Sequence, residues 1–257
     1  TLGLDYRFTN RAVVGLAASA IDADADIFDD DGLLDIESQW ISLYLSKSWK
    51  SGLFFQGLFG VGTADYDATR NLDLPAAFRG RSRFTAVGTT EGDHLAAQLE
   101  VGYSRRLQSD LVITGFLRGR SVDLSIDSYR ETGDPAGAGF YLEVLEQNID
   151  SLILEGGVDF AWPAKRSWGL IIPSVQLSLL RELEDQGEPV RARFLEDPNG
   201  NILSLPTAEP DENFINFQAG LVASLNGGLG LFVHYSIDLE RADYEVEELR
   251  GGVSYAF

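Results

Sequence analysis

Residues 229–239 read Leu229-Gly230-Leu231-Phe232-Val233-His234-Tyr235-Ser236-Ile237-Asp238-Leu239. The odd positions hold Leu229, Leu231, Val233, Tyr235, Ile237 and Leu239, and the even ones Gly230, Phe232, His234, Ser236 and Asp238. A period of two sends these sets to opposite sides of a β-strand. A tilted strand that crosses a bilayer needs about 9–11 residues, which this stretch supplies.

The alternation continues outward. Residues 213–225 set Ile215, Phe217, Ala219, Leu221, Ala223 and Leu225 against Asn216, Gln218, Gly220 and Ser224. Residues 94–107 set Leu95, Ala97, Leu99, Val101 and Tyr103 against His94, Gln98, Glu100, Gly102 and Ser104. Residues 151–162 place Leu152, Leu154, Val158, Phe160 and Trp162 opposite Glu155, Gly157 and Asp159. Residues 1–8 place Leu2, Leu4, Tyr6 and Phe8 opposite Asp5 and Arg7.

A water-soluble sandwich covers its outside with charge. Here one face is almost free of charge along its whole length, and the other is rich in Gly, Ser and Gln with scattered acids and Arg. A lipid-facing exterior around a wet lumen fits that better. Asp5, Arg7, Glu100, Glu155, Asp159, His234 and Asp238 are the expected lumen-facing residues. Connections near 9–11, 48–52, 108–110, 163–167 and 226–228 are short and hold turn formers. Those near 22–37, 64–93, 127–150 and 181–212 are long. Short periplasmic turns and long extracellular loops are the outer-membrane arrangement. Trp49, Trp162, Trp168, Tyr66 and Tyr244 lie near strand ends, where interfacial girdles would place them.

The expected fold is therefore all-β. It is a single transmembrane, up-and-down antiparallel β-barrel over residues 1–257. About eleven strands are legible. Both the first and the last would run downward, and bacterial barrels usually have an even strand number. A twelfth strand upstream of Thr1 is expected, unless 64–93 or 181–212 hides a hairpin of its own. Residues 111–127 shift their apolar set from odd (Ile113, Leu117) to even positions (Val122, Leu124, Ile126), which predicts a bulge near 119–121. In residues 12–21 the facing is undecided.

The chain carries 40 acidic and 20 basic residues, a net charge of −20. A nucleic-acid backbone would be repelled. There is no Cys, so disulfide scaffolds, thiol catalysis and Cys-ligated metals are excluded. No phosphate loop, dinucleotide fingerprint or metal-ligand spacing occurs, and no cofactor is expected. The acidic run from Asp22 to Gly32 fails the EF-hand spacing. Its readings are a solvated extracellular loop or a weak Ca²⁺ or Mg²⁺ site shared with lipopolysaccharide phosphates.

The last strand ends Arg250-Gly251-Gly252-Val253-Ser254-Tyr255-Ala256-Phe257. Arg250, Gly252, Tyr255 and Phe257 fill the polar, glycine and aromatic positions of the signal read by the barrel-assembly machinery. Outward Tyr255 and Phe257 suit the periplasmic interface. With Gly3-Leu4-Asp5-Tyr6-Arg7-Phe8, Gly15-Leu16-Ala17, Pro173-Ser174-Val175-Gln176-Leu177, Val190-Arg191-Ala192-Arg193-Phe194, Phe214 to Gly220 and Leu225-Asn226-Gly227-Gly228, the chain resembles the translocator domain of autotransporters (type V secretion).

That resemblance implies an outer-membrane anchor and translocation channel for an N-terminal passenger. Its partners would be outer-membrane lipid and lipopolysaccharide, the assembly machinery and its own passenger segment, and a monomer is expected. It implies no enzymatic reaction. The alternative is a passenger-free pore whose luminal acids favour cations. A barrel hydrolase is weaker still. It would rest on His234 with Ser236 on one face, or on His94 beside Asp93 at the rim.

Overall fold

The computed structural model describes residues 1–27, 32–73, 83–184, 189–207, 211–241 and 246–256. Among the described residues, eleven strands of a thirteen-stranded antiparallel sheet form the wall, each pairing with its sequence neighbours there. They are β1 (Leu2–Arg7), β2 (Ala12–Ile27), β3 (Gly32–Ser48), β4 (Leu53–Asp73), β5 (Arg83–Arg106) and β6 (Val112–Ile126), then β10 (Gln147–Ala161), β12 (Gly169–Glu182), β15 (Asn213–Leu225), β16 (Leu229–Leu239) and β17 (Val246–Tyr255). The sheet curls into a half-barrel. Among the described residues, β1 and β17 are each paired on one side. The intervening pieces are β7 (Tyr129–Arg130), β8 (Thr132–Gly133), a 3₁₀ turn (Pro135–Phe140), β9 (Leu142–Val144), β11 (Ala164–Arg166), β13 (Val190–Phe194) and β14 (Leu203–Leu205).

The apolar face is the outer one. Leu4 and Leu16 are 73% and 58% exposed, and Leu117 and Leu179 are each 66% exposed. Glu100 and Glu155, on the concave face, are 7% and 3% exposed. Water would not tolerate the first set on that scale, whereas hydrocarbon does. In β2 the outer set is Val14, Leu16, Ala18 and Ala20, which settles its facing. Trp49, Trp162 and Trp168 stand exposed at the short-turn end. Tyr66 lies instead on the concave face, where a side chain at Gly92 would meet its ring at 3.0 Å. Tyr244 lies outside the described residues.

Three of the short turns share one solution. Phe8 N–H donates to Ala12 O and Arg11 N–H to Phe8 O, and the pattern repeats at Trp49–Leu53 and Leu107–Leu111. Arg11, Gly52 and Asp110 take positive φ (64°, 101° and 62°). This is the three-residue hairpin whose last position is left-handed.

The expected bulge in β6 is absent. Its register runs unbroken from Val112↔Arg106 to Ile126↔Gly92, and equally along β10. What changes is the environment. Below Arg120 the outer residues are apolar (Ile113, Leu117) and the inner ones polar (Thr114, Arg118). Above it the outer residues are Ser121, Asp123 and Ser125, and the inner ones Val122, Leu124 and Ile126. The same inversion crosses the neighbouring strands. Asp22, Glu37, Asp65 and Glu91 lie directly opposite one another on the outer face, followed by Asp24, Asp35, Asp67 and Thr89. The stretches 22–37 and 64–93, expected as loops, are therefore mostly paired strand. Alternating Asp and Ala read as a polar loop by composition, yet their period of two suits a strand that has left the bilayer.

The region 181–212 does hold a hairpin, β13–β14, but it belongs to a second sheet of order β14-β13-β9-β7 rather than to the wall.

Candidate functional site

The concave face below the inversion carries a ladder of polar side chains. Register places Arg118 of β6 between Glu100 of β5 and Glu155 of β10. Arg118 Nε donates to Glu100 at 2.6 Å, and its Nη1 to Glu155 at 2.9 Å. Arg120 approaches Glu155 at 3.5 Å and Gln176 Nε2 donates to it at 3.4 Å. Two guanidinia facing two buried carboxylates leave a nearly neutral patch with strong local fields. Further round, Gln218 donates to Asn216 at 2.8 Å, Asn216 to Asp238 at 2.7 Å and Arg241 to Asp238 at 3.0 Å. The Arg241 guanidinium also covers the Phe214 ring at 3.7 Å.

The other expected lumen residues are placed as follows. Asp5 accepts from Tyr44 Oη at 3.4 Å, and Arg7 lies two residues on along the same edge strand, exposed. Asp159 is half-buried between Thr114 and Gln176 in register. His234 shares the concave face with Ser236, lies between Gly220 and Arg250 in register, and has its ring 5.8 Å from that of Phe232. His94 and Asp93 are adjacent on one strand and so point to opposite faces. That separation corrects the acid–histidine pairing considered from sequence. His94 instead hydrogen-bonds Ser38 at 3.0 Å and stacks on Trp40 at 4.2 Å between ring centroids. Sequence reasoning missed this trio because its members lie on strands joined only by the fold.

Rings lying over glycines recur on this face. A side chain at Gly15 would strike Tyr44, at Gly102 Phe54, at Gly157 Phe116, at Gly220 His234 and at Gly252 Phe232. The glycines thus let large rings lie flat across the neighbouring strand. Of the residues expected to form a terminal signal, Gly252 sits beneath the Phe232 ring, Arg250 pairs with Glu248, and Tyr255 points outward, 65% exposed. Phe257 lies outside the described residues.

Above the inversion, the second sheet and the 3₁₀ turn form a cap. The Arg70 guanidinium, on the inner face of β4, donates to both carboxylate oxygens of Glu131, at 2.8 and 2.5 Å, and to Phe140 O at 3.2 Å. Glu131 also accepts Leu142 N–H at 2.8 Å. Beneath the cap, Phe84 and Ala86 on the inner face of β5 are 3% and 1% exposed. The Arg193 guanidinium hydrogen-bonded to Glu143, with Arg130 beside it, holds that carboxyl below its usual range. Backbone N–H groups of Asn199 and Asn201 do the same for Asp197. On the outer wall, a hydrogen-bonded contact with Asp24 pushes Asp35 up. Of the acidic run, Asp29, Asp30 and Asp31 lie outside the described residues. Among those described, no group of three or more acids or histidines is close enough to hold a metal ion.

An exposed apolar wall around a polar concave face is the geometry of a membrane channel. The sequence matches the autotransporter β-domain family over residues 1–236. The chain belongs to that family. The translocator domain of the autotransporter NalP from Neisseria meningitidis superposes with a TM-score of 0.71 at 14% identity, covering 99% of this chain and 79% of that one. The β domain of the Bordetella autotransporter BrkA gives 0.65 at 16% identity, covering 99% and 88%. Among curated proteins, none matches the chain by sequence. This autotransporter β-domain is an outer-membrane barrel, and its function is to anchor and translocate a passenger domain.

Proposed function

We propose that the passenger crosses along the concave face of residues 1–257 acting as one domain, and that the domain performs no chemistry of its own. The ladder running from Glu100 through Arg118, Glu155 and Gln176 to Gln218, Asn216 and Asp238 carries this reading. A chain in transit needs backbone partners in place of water, and amides and paired charges offer them without fixing one sequence. Asp5, Arg7, Asp159 and His234 extend the same surface. The lone edges of β1 and β17 would leave backbone groups unpaired in hydrocarbon, and a twelfth strand between them closes the wall. Outer-membrane lipid and lipopolysaccharide surround the apolar band. The barrel-assembly machinery reads Arg250, Gly252, Tyr255 and Phe257, and the domain works as a monomer.

The test is the intact mass and N-terminal residue of the mature protein extracted from outer membranes, together with surface display of any upstream region. A large displayed or released N-terminal region is the expected result. An N-terminus one strand upstream, with ion conductance, would favour the passenger-free pore.

A further inference from the structure

The cap is assembled from two connections that are separate in the wall. β7 and β9 come from the link between β6 and β10, and β13 and β14 from the link between β12 and β15. They meet as one sheet through Val144↔Ala192 and Glu143↔Arg193. The near end is fastened to the inner side of the β4–β5 hairpin. β8 pairs with β5 at Ala86↔Gly133 and Val87↔Thr132. The Tyr129 ring lies over Gly88, and Arg70 grips Glu131. A side chain at Gly133 or Gly137 would meet the Tyr141 hydroxyl, at 2.5 and 3.0 Å, and Tyr141 Oη donates to Asp134 O at 2.6 Å. Every one of these fastenings to β4 and β5 is either an edge pairing or lies on the concave side. The inner face there is apolar and buried, unlike the wet face below. The cap therefore leans inward over the extracellular mouth and spans from β5 to the β12–β15 side.

We propose that this cap is a gate. Its two halves part while a polypeptide passes, and re-pair at β9–β13 afterwards, with the Arg70–Glu131 fork as the latch. The attachment suits reversible closure. The seam between the halves is three residue pairs long, against fifteen for β6 with β10. Of the charged clasps, Arg193–Glu143 crosses this seam and Arg70–Glu131 holds the near half to β4, and both leave the arginine partly open to water (41% and 36% of the side chain exposed). Such contacts open locally long before the wall does.

The gate goes beyond the translocation reading and rests on it. Residues 1–257 hold no Cys, so the domain itself adds no background to the test. Val144 and Ala192 face each other at a non-hydrogen-bonded position, the geometry that accepts a cross-strand disulfide. In the full-length protein expressed under an added thiol oxidant, Val144→Cys with Ala192→Cys is expected to cross-link at the mouth and abolish passenger display. A thiol reductant should restore it. Full display with the cross-link verified by mass would overturn the gate while leaving translocation intact. Loss of display in the unmodified chain would instead sink translocation itself.

Should the double variant fail to assemble, Ala86→Cys reports directly on the buried seat. An impermeant maleimide applied to intact cells should modify it slowly at rest. Modification should be roughly tenfold faster with Arg70→Ala, since a charged hydrogen-bonded pair is lost, and fast while a tightly folded passenger is stalled in transit. Ile202→Cys, exposed at the rim, should label equally in all three. A rate at Ala86→Cys that is unchanged by both the latch variant and the stalled passenger would overturn the proposal.

Discussion

Below the inversion, β6 turns Leu117 to the outside and Arg118 to the inside; four residues later it turns Ser121 out and Val122 in, with no break in register. The same strand thus serves two solvents in succession. In the bilayer the outside is hydrocarbon and the inside is wet. Above it the outside is water and the inside is apolar, covered by the cap at Phe84 and Ala86 of β5 and half-open at Val122 of β6. Strand chemistry did not choose the faces. The surroundings did, and the level at which the pattern flips marks the outer edge of the apolar band on β2 to β6 and β10.

Four measurements test that contrast. The largest effect belongs to the lower region. Arg118→Ala would leave Glu100 buried without a cation and Glu155 with Arg120 alone, at 3.5 Å, a loss of about 3–5 kcal/mol. Denaturant unfolding of the assembled protein in vesicles would read it. Next comes a matched pair on the outer face of β6. Leu117→Lys should cost about 2–4 kcal/mol in lipid, and Asp123→Lys about 0–1 kcal/mol. Equal costs at the two positions would mean that the apolar band does not end between them.

The third measurement concerns the cap. Glu143 and Asp197 have carboxyls held below their unfolded value. Their contribution is therefore full above the ordinary carboxylate range (about pH 4) and is lost as pH falls through the lower folded values. Hydrogen exchange over residues 129–144 and 190–205 should quicken there while β6 and β10 stay protected. The smallest effect lies on the outer acidic rungs. Like charges directly opposite are unfavourable and are screened by salt. Raising ionic strength should slow exchange at the β2–β5 tips, and Asp24→Asn, which relieves Asp35, should reduce that salt response.

Much of this architecture is written in the chain. Period two fixed the strands around Leu99, Leu154, Leu221 and Val233 and their outward sides, because hydrocarbon imposes a simple rule over ten residues. The rule fails where the solvent changes, so the shift in β6 suggested a bulge and the Asp-Ala alternation of 22–26 suggested a loop. Two kinds of feature left no local trace at all. One is the Trp40–His94–Ser38 cluster, made by three-dimensional adjacency. The other is the cap seam, where Val144 meets Ala192 across two intervening wall strands. The ring-over-glycine pairs were half legible. The glycines stood on the polar face, but what lay over each one depended on register.

The turn arrangement has a consequence for the order of assembly. Each wall strand pairs with the strand before it, and three of the short turns share one hairpin geometry. The wall can therefore be laid down hairpin by hairpin, with small loops to close at the short turns. The cap cannot. Its seam joins segments that flank β10 and β12, so it forms only after both strands are in place. Maturation then has a natural last event, in which the mouth is closed after the wall has been built.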